Sequence, residues 1–237
     1  MLGVDVEGRA GPLALAAAFD TSAGPVVVTG PNGSGKTSLL HLILGVKAPT
    51  RGSVTLGGVA LFDAEKRVNL ALEARHIGYL PQHFGLFPHL SALSNVEFSL
   101  RCRHPELGAR ERRERAQGLL AELGIDGLGT LGPTALSAGE RQRVALARAI
   151  AAEPRALLLD EPFAALDVGT RRQVRIFLRE YLERLALPTV VVTHDAKDAE
   201  SLGGRVIVLE AGRVVQSGAW VELARNPVSA FVRELTT

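Results

Sequence analysis

Five groups of residues in this sequence are of types and spacings suited to chemistry on a phosphate. The first is GPNGSGKT, Gly30 to Thr37, which fits the P-loop pattern G-x-x-x-x-G-K-[ST]. The β- and γ-phosphates of a nucleotide need several N–H donors at once. Gly30, Gly33 and Gly35 let the backbone curl around an anion through φ values that other residues avoid. Pro31, Asn32 and Ser34 complete the loop, Lys36 brings a point charge to the β/γ oxygens, and Thr37 offers a hydroxyl to Mg²⁺. The second group is LLLDEP, with Asp160 at the carboxyl end of an apolar run, where α/β sheets hold ligands. A carboxylate there binds Mg²⁺ directly or through water. Glu161 is placed to take a proton from an attacking water, although an Asp-Glu pair also serves as a plain cap for the segment that follows.

The third and fourth groups are weaker singly. His194, in VVVTHD, follows another apolar run at the same sheet edge, where it can bond a γ-phosphate and position Glu161. Gln82, in YLPQHF, ends a further run; its amide donates to phosphate, accepts from water, or ligates a metal through oxygen. The fifth is LSAGERQRVALARA, Leu136 to Ala149. Free N–H groups at a helix start, beside the hydroxyl of Ser137 and at Gly139, make a second anion site a hundred residues from the first.

These residues need elements to hold them. PVVVT (25–29), HIGYL (76–80), ALLLD (156–160) and TVVVT (189–193) read as buried strands. SVTLGGVAL and RVIVLEAGRVVQSG read as strand pairs turning at Gly57-Gly58 and Ala211-Gly212. A helix runs from the P-loop to Gly45, and a longer one covers VGTRRQVRIFLREYLERLA. DAKDAESL is a short helix with Asp195 at its N-cap. From about Phe84 to Ala151 the pattern is helical, with Pro88, Pro105 and Pro133 at the joints. The reading is therefore α/β: a core with a mostly parallel sheet, N-terminal antiparallel strands and an inserted helical subdomain. The expected core comprises 1–83 and 152–237, and the helical subdomain 84–151.

Composition narrows the classes. The chain has 237 residues, enough to bury a real core, with 46% hydrophobic and 22% charged residues and a net charge of +2. The one dense basic stretch, ARERRERA, is diluted by glutamates and reads as a solvated helix face, so no nucleic-acid partner is expected. Cys102 is the only cysteine, which excludes a disulfide framework. No run of about 18 apolar residues offers a membrane span. LALAAAF, Leu13 to Phe19, is too short, and too close to Gly30, to read as a signal peptide.

The P-loop at 30–37, Gln82, LSAGE at 136–140, LLLDEP at 157–162, AALD at 164–167 and TH at 193–194 together resemble the ATP-binding-cassette (ABC) ATPases. The resemblance covers almost the whole chain, in order. It implies a P-loop NTPase (RecA-like) core, Mg²⁺-dependent hydrolysis of ATP, and two such domains facing head to tail. The signature turn of one, Ser137 and Gly139, and Asp167 then complete the site whose P-loop belongs to the other. That gives the second anion site a purpose: it reads the partner's ATP. Three departures stand out. LSAGE replaces the family's LSGGQ, Ala164 replaces the serine before Asp167, and no aromatic residue precedes Phe19 to stack on adenine.

QHFGLFPHLSALSNVEFSL is similar to the importer pattern, in which Gln82 to Asn95 forms the docking surface for membrane subunits. DAEK at 63–66, the arginine-bearing lead to the GY strand, and LFPH at 86–89 look like the ATPase subunits of molybdate importers. Many of those carry a C-terminal oxyanion-binding domain. None follows in this sequence up to Thr237, so control by an intracellular oxyanion through one is not expected. The resemblance implies an ATPase peripheral to the cytoplasmic face of the cell membrane. Its partners would be a second copy of itself, integral permease subunits and, indirectly, a solute-binding protein. The alternatives are an importer of another solute, an exporter ATPase, and a non-transport relative.

Overall fold

Four short runs of β-branched and aliphatic residues carry the centre of the molecule. The computed structural model describes residues 1–22, 24–164, 166–202 and 204–237, so Ala165 of the AALD stretch lies outside the described residues. The chain opens with β1 (Leu2–Ala10), β2 (Leu13–Asp20), β3 (Val26–Thr29) and α1 (Lys36–Leu44). Then come β4 (Arg51–Leu56), β5 (Val59–Asp63), β6 (Val68–Asn69) and β7 (Ile77–Leu80). Three helices follow: α2 (Ala92–Arg103), α3 (Ala109–Glu122) and α4 (Ala138–Ala151). The chain returns to strand at β8 (Ala156–Asp160), then α5 (Val168–Leu185), β9 (Thr189–Val192) and α6 (Ala196–Ser201). It ends with β10 (Arg205–Glu210), β11 (Arg213–Gly218), α7 (Trp220–Arg225) and α8 (Ala230–Thr236).

All the strands join one sheet, in the order β6-β5-β4-β1-β2-β11-β10-β3-β9-β8-β7. The half from β10 to β7 is parallel. The half from β6 to β2 is antiparallel. Sequence explains the division. β3, β8 and β9 are buried at every position, as strands covered on both faces must be. Their side chains alternate between two cores. Val27, Leu157, Leu159 and Val191 pack with α2, α4 and α5. Val26, Val28, Leu158, Val190 and Val192 pack with α1 and the antiparallel strands. β1 instead alternates buried and exposed positions, because only one of its faces is covered.

The P-loop helix α1 is anchored at its far end by a residue with no carboxylate partner. Arg75 is only 1% exposed. It donates to the carbonyls of Ile43 at 2.7 Å and Leu70 at 3.1 Å, and to Asn69 Oδ1 at 2.8 Å. A cation at a helix C-terminus also meets the negative end of the helix dipole. Gly45 ends α1 at φ 92°, and a Cβ there would lie 2.5 Å from the Arg75 side chain. Arg75→Met leaves those acceptors buried and unpaired, and is expected to destabilise the fold by about 2–3 kcal/mol. Urea unfolding measures this; a loss below about 0.5 kcal/mol would contradict the role given to the bonds.

Among the described residues, no helix is long and apolar enough to cross a membrane.

Candidate functional site

The P-loop follows directly from β3 and is glycine-dependent at defined points. Gly30 has φ 153°, and a Cβ there would lie 2.0 Å from the Leu209 carbonyl oxygen. Gly33 and Gly35 take φ of 78° and 103°, and a Cβ on Gly35 would press on Leu15 at 2.9 Å. No other residue type suits these positions. Ser34 and Pro31 close the turn through a backbone bond from Ser34 N to Pro31 O of 3.2 Å. Lys36 opens α1, buried, with Nζ donating to the carbonyls of Gly30 at 2.7 Å and Pro31 at 3.0 Å. Burial lowers its pKa, and the nearby Glu161 and Asp160 oppose that shift.

These residues line a groove of about 630 Å³, the size of a small-ligand site. Its walls include Asn32, Gly33, Gly35, Lys36 and Thr37 on one side and Gln82 and Glu161 on another. The β1–β2 turn, Gly11 to Leu13, and Lys47 complete it. This end of the groove holds Pro12, Leu13 and Lys47, with no aromatic residue among its described lining.

Asp160 ends β8, fully buried beside the P-loop helix. It accepts from Thr37 Oγ1 at 3.2 Å and from the Tyr79 hydroxyl at 3.4 Å. Burial pushes its pKa up, while the bonds from Thr37 and Tyr79 pull the other way. A hydroxyl and a carboxylate held this close are hard oxygen donors of the kind Mg²⁺ takes. Within HIGYL, Tyr79 reads as a core aromatic, and only the register of β7 on β8 brings its hydroxyl to Asp160.

Glu161 follows at φ 49°, a left-handed conformation that a non-glycine residue holds only under local constraint. Its N–H donates to Val192 O at 2.9 Å, which fixes the turn. Because Asp160 pairs with Val192 in the parallel register of β8 and β9, the residues just past both strand ends meet. His194 Nδ1 lies 2.8 Å from both carboxylate oxygens of Glu161. The imidazole is half exposed and the carboxylate buried.

The remaining candidates stand apart. Ser137, Gly139 and Asp167 do not line this groove. Ser137 caps α4: its hydroxyl accepts from Glu140 N at 3.3 Å, and the Glu140 carboxylate accepts from Ser137 N at 2.7 Å. The two bonds make a capping box. Gly139 is buried within its own chain, and a Cβ there would lie 3.0 Å from Thr170 Cγ2 on α5. Asp167 is exposed and caps α5, accepting from Gly169 N and Thr170 N at 3.1 Å each. Val168 beside it is 89% exposed.

The expected docking segment divides. Phe84 is 4% exposed and belongs to the core around α2 and α4. Its place in an outward surface is therefore corrected, and a charge there would disrupt folding. Phe87 is partly exposed, edge-on to Phe98 at 4.8 Å and under the Arg148 guanidinium at 5.5 Å.

A family model described as ABC transporter matches residues 17–164. The sulfate/thiosulfate import ATP-binding protein CysA of Mesorhizobium japonicum is 44% identical over 209 residues, 87% of this chain and 59% of that protein. The corresponding protein of Xylella fastidiosa is 42% identical over 234 residues, 98% of this chain and 62% of its own length. The chain thus spans about three-fifths of the length of these curated relatives. A dimeric ATP-binding cassette solved in a post-hydrolysis state with ADP and Pi superposes with a TM-score of 0.76 at 31% identity, covering 92% of this chain and 98% of that one. The expected fold class, a P-loop α/β core with antiparallel strands and inserted helices, is the fold shared with that cassette.

Proposed function

We propose, from the premise that this chain belongs to the ABC transporter family, that it is the ATP-hydrolysing part of an importer and works as a head-to-tail dimer. The observation that carries the reading is a divided site. One groove gathers Lys36, Thr37, Gln82 and Glu161, whereas the signature turn, Ser137 and Gly139, lies outside it. A second chain would supply that turn. The exposure of Ser137, Asp167 and Val168 leaves these positions open to one.

Within the groove, Gly30 to Thr37 cradles the β- and γ-phosphates of ATP. Thr37, Asp160 and Gln82 would hold Mg²⁺, which neutralises charge on the phosphate oxygens. Glu161 takes the proton of the attacking water. His194 bonds Glu161 through Nδ1, fixing the carboxylate, and its half-exposed ring leaves Nε2 for the γ-phosphate. The helical block 84–151 is a subdomain, and 1–83 with 152–237 is the core that holds the nucleotide. Adenine rests on Pro12 and Leu13 beside Lys47, so phosphates dominate affinity.

Each role has its own signature in binding. Lys36→Ala removes a charge from the cradle and is expected to weaken ATP binding about 10- to 100-fold with or without Mg²⁺. Asp160→Asn is expected to erase the difference that Mg²⁺ makes. Equilibrium titration with a fluorescent ATP analogue separates them; wild-type affinity in both variants would overturn the assignment.

The transported solute is an oxyanion. The named relatives are sulfate/thiosulfate proteins, which favours that class, whereas the molybdate likeness rests on DAEK, the arginine-bearing lead to the GY strand and LFPH. The chain sits peripherally on the cytoplasmic face of the membrane against permease subunits, served indirectly by a solute-binding protein. Phe87 is the docking contact. Phe87→Asp is expected to leave ATP hydrolysis by the isolated subunit within about twofold of wild type while removing uptake in reconstituted vesicles. Uptake at the wild-type level would contradict docking there.

A further inference from the structure

We infer that Asp198, gripped by Arg171 and Arg175, is a positioning residue that holds His194 against Glu161 through the Thr193 hydroxyl. The inference rests on the hydrolytic roles proposed for those two residues. Asp198 lies on α6 and is completely buried. Its carboxylate accepts from five donors. Oδ1 takes Arg175 Nη2 at 2.6 Å, Arg175 Nε at 2.9 Å and Arg171 Nε at 3.3 Å. Oδ2 takes Arg171 Nη2 at 2.7 Å and Thr193 Oγ1 at 2.9 Å.

The last of these bonds reaches the site. Thr193 immediately precedes His194, and its hydroxyl also accepts from Asp195 N, just beyond, at 3.2 Å. Asp195 is tied in turn: its Oδ1 accepts from Asp198 N at 3.1 Å, and its Oδ2 lies 3.4 Å from Arg171 Nη1. Both chain neighbours of His194 are therefore tied to Asp198, Thr193 through its carboxylate and Asp195 through its backbone N–H, while the imidazole itself is half exposed. That ring bonds Glu161 at 2.8 Å, and the backbone on either side of it is set by these ties.

Stability alone is a poor reason for such a cluster. Apolar side chains of similar volume often replace buried ion pairs without loss. What two planar guanidinium forks supply is fixed direction. They lie on α5, a long helix that does not belong to the histidine loop. The loop is thus referenced to a rigid element rather than to itself. A misplacement of about 1 Å between reacting groups lowers rates about a hundredfold, so the reference matters to turnover.

The test separates position from stability. Thr193→Val removes the hydroxyl, keeps the shape and leaves the four-residue ion cluster intact. Per folded molecule, kcat for ATP hydrolysis is expected to fall about tenfold or more, with KM for ATP within about twofold. Thr193→Ser, which restores the hydroxyl, is expected to recover the rate. Arg175→Lys, which keeps charge but loses the fork, is expected to lower kcat at unchanged KM and reads the same link should the valine variant fold poorly. Wild-type kcat in Thr193→Val and Arg175→Lys, or a loss accounted for by unfolded protein in thermal melts, would overturn the inference. His194→Ala is run beside them. If it is inactive while Thr193→Val turns over normally, only the positioning link fails. If it hydrolyses ATP at the wild-type rate, the role of His194 falls and the link with it.

Discussion

Glu161→Gln is expected to lower ATP hydrolysis by about 10²- to 10⁴-fold while leaving ATP affinity unchanged. The amide has the carboxylate's shape, and its carbonyl oxygen still accepts from His194 Nδ1. The turn is set by the backbone bond to Val192 O and by φ 49°, neither of which depends on charge. Only the ability to take a proton is lost. With the chemical step blocked and binding intact, an ATP-bound dimer should accumulate, visible as a shift to twice the mass in size-exclusion chromatography with Mg-ATP. Hydrolysis within about threefold of wild type would exclude Glu161 as the base.

Much of this site is legible in the sequence because its parts are local. GPNGSGKT specifies its own turn, since the glycines at 30, 33 and 35 are the residues whose φ values demand glycine. ALLLD and TVVVT announce buried strands through unbroken apolar runs. Their parallel pairing then follows, and with it the meeting of Glu161 and His194. What is not legible depends on long-range register. Arg75 reads as one residue of a polar lead into a strand, yet it caps a helix that ends some thirty residues earlier. Tyr79 reads as core. Asp198 reads as a polar position in a short helix, and its partners lie 23 and 27 residues away on α5. Phe84 reads as part of an apolar surface because periodicity does not reveal its φ of 61°, which turns the side chain into the core.

Ser137→Asp is the second large effect. Gly139 is the obvious residue to burden with a carboxylate, but its missing Cβ faces Thr170 and Val174 of its own chain. A substitution there would disturb the α4–α5 contact before touching a partner. Ser137 is exposed, and aspartate caps a helix as well as serine does. The variant should therefore fold normally. In the dimer it sets a carboxylate near the partner's γ-phosphate. Two like charges about 4 Å apart at an effective dielectric near 20 repel by about 4 kcal/mol. That predicts a loss of roughly 10³-fold in hydrolysis, with ATP binding to the monomer unchanged. A variant as active as wild type would remove the signature turn from the site.

Mixing Lys36→Ala and Ser137→Asp, at an ATP concentration too low to fill the weakened Lys36→Ala site, tests the shared site most directly. In a head-to-tail dimer of one chain of each, one site carries both lesions. The other is intact, built from Lys36 of the Ser137→Asp chain and Ser137 of the Lys36→Ala chain. If the signature turn acts across the interface and one site turns over alone, a one-to-one mixture regains about a quarter of the wild-type rate. If the turn serves its own chain, no pairing rebuilds a site. A mixture that stays inactive, with mixed dimers demonstrated by cross-linking through introduced cysteines, would contradict the account.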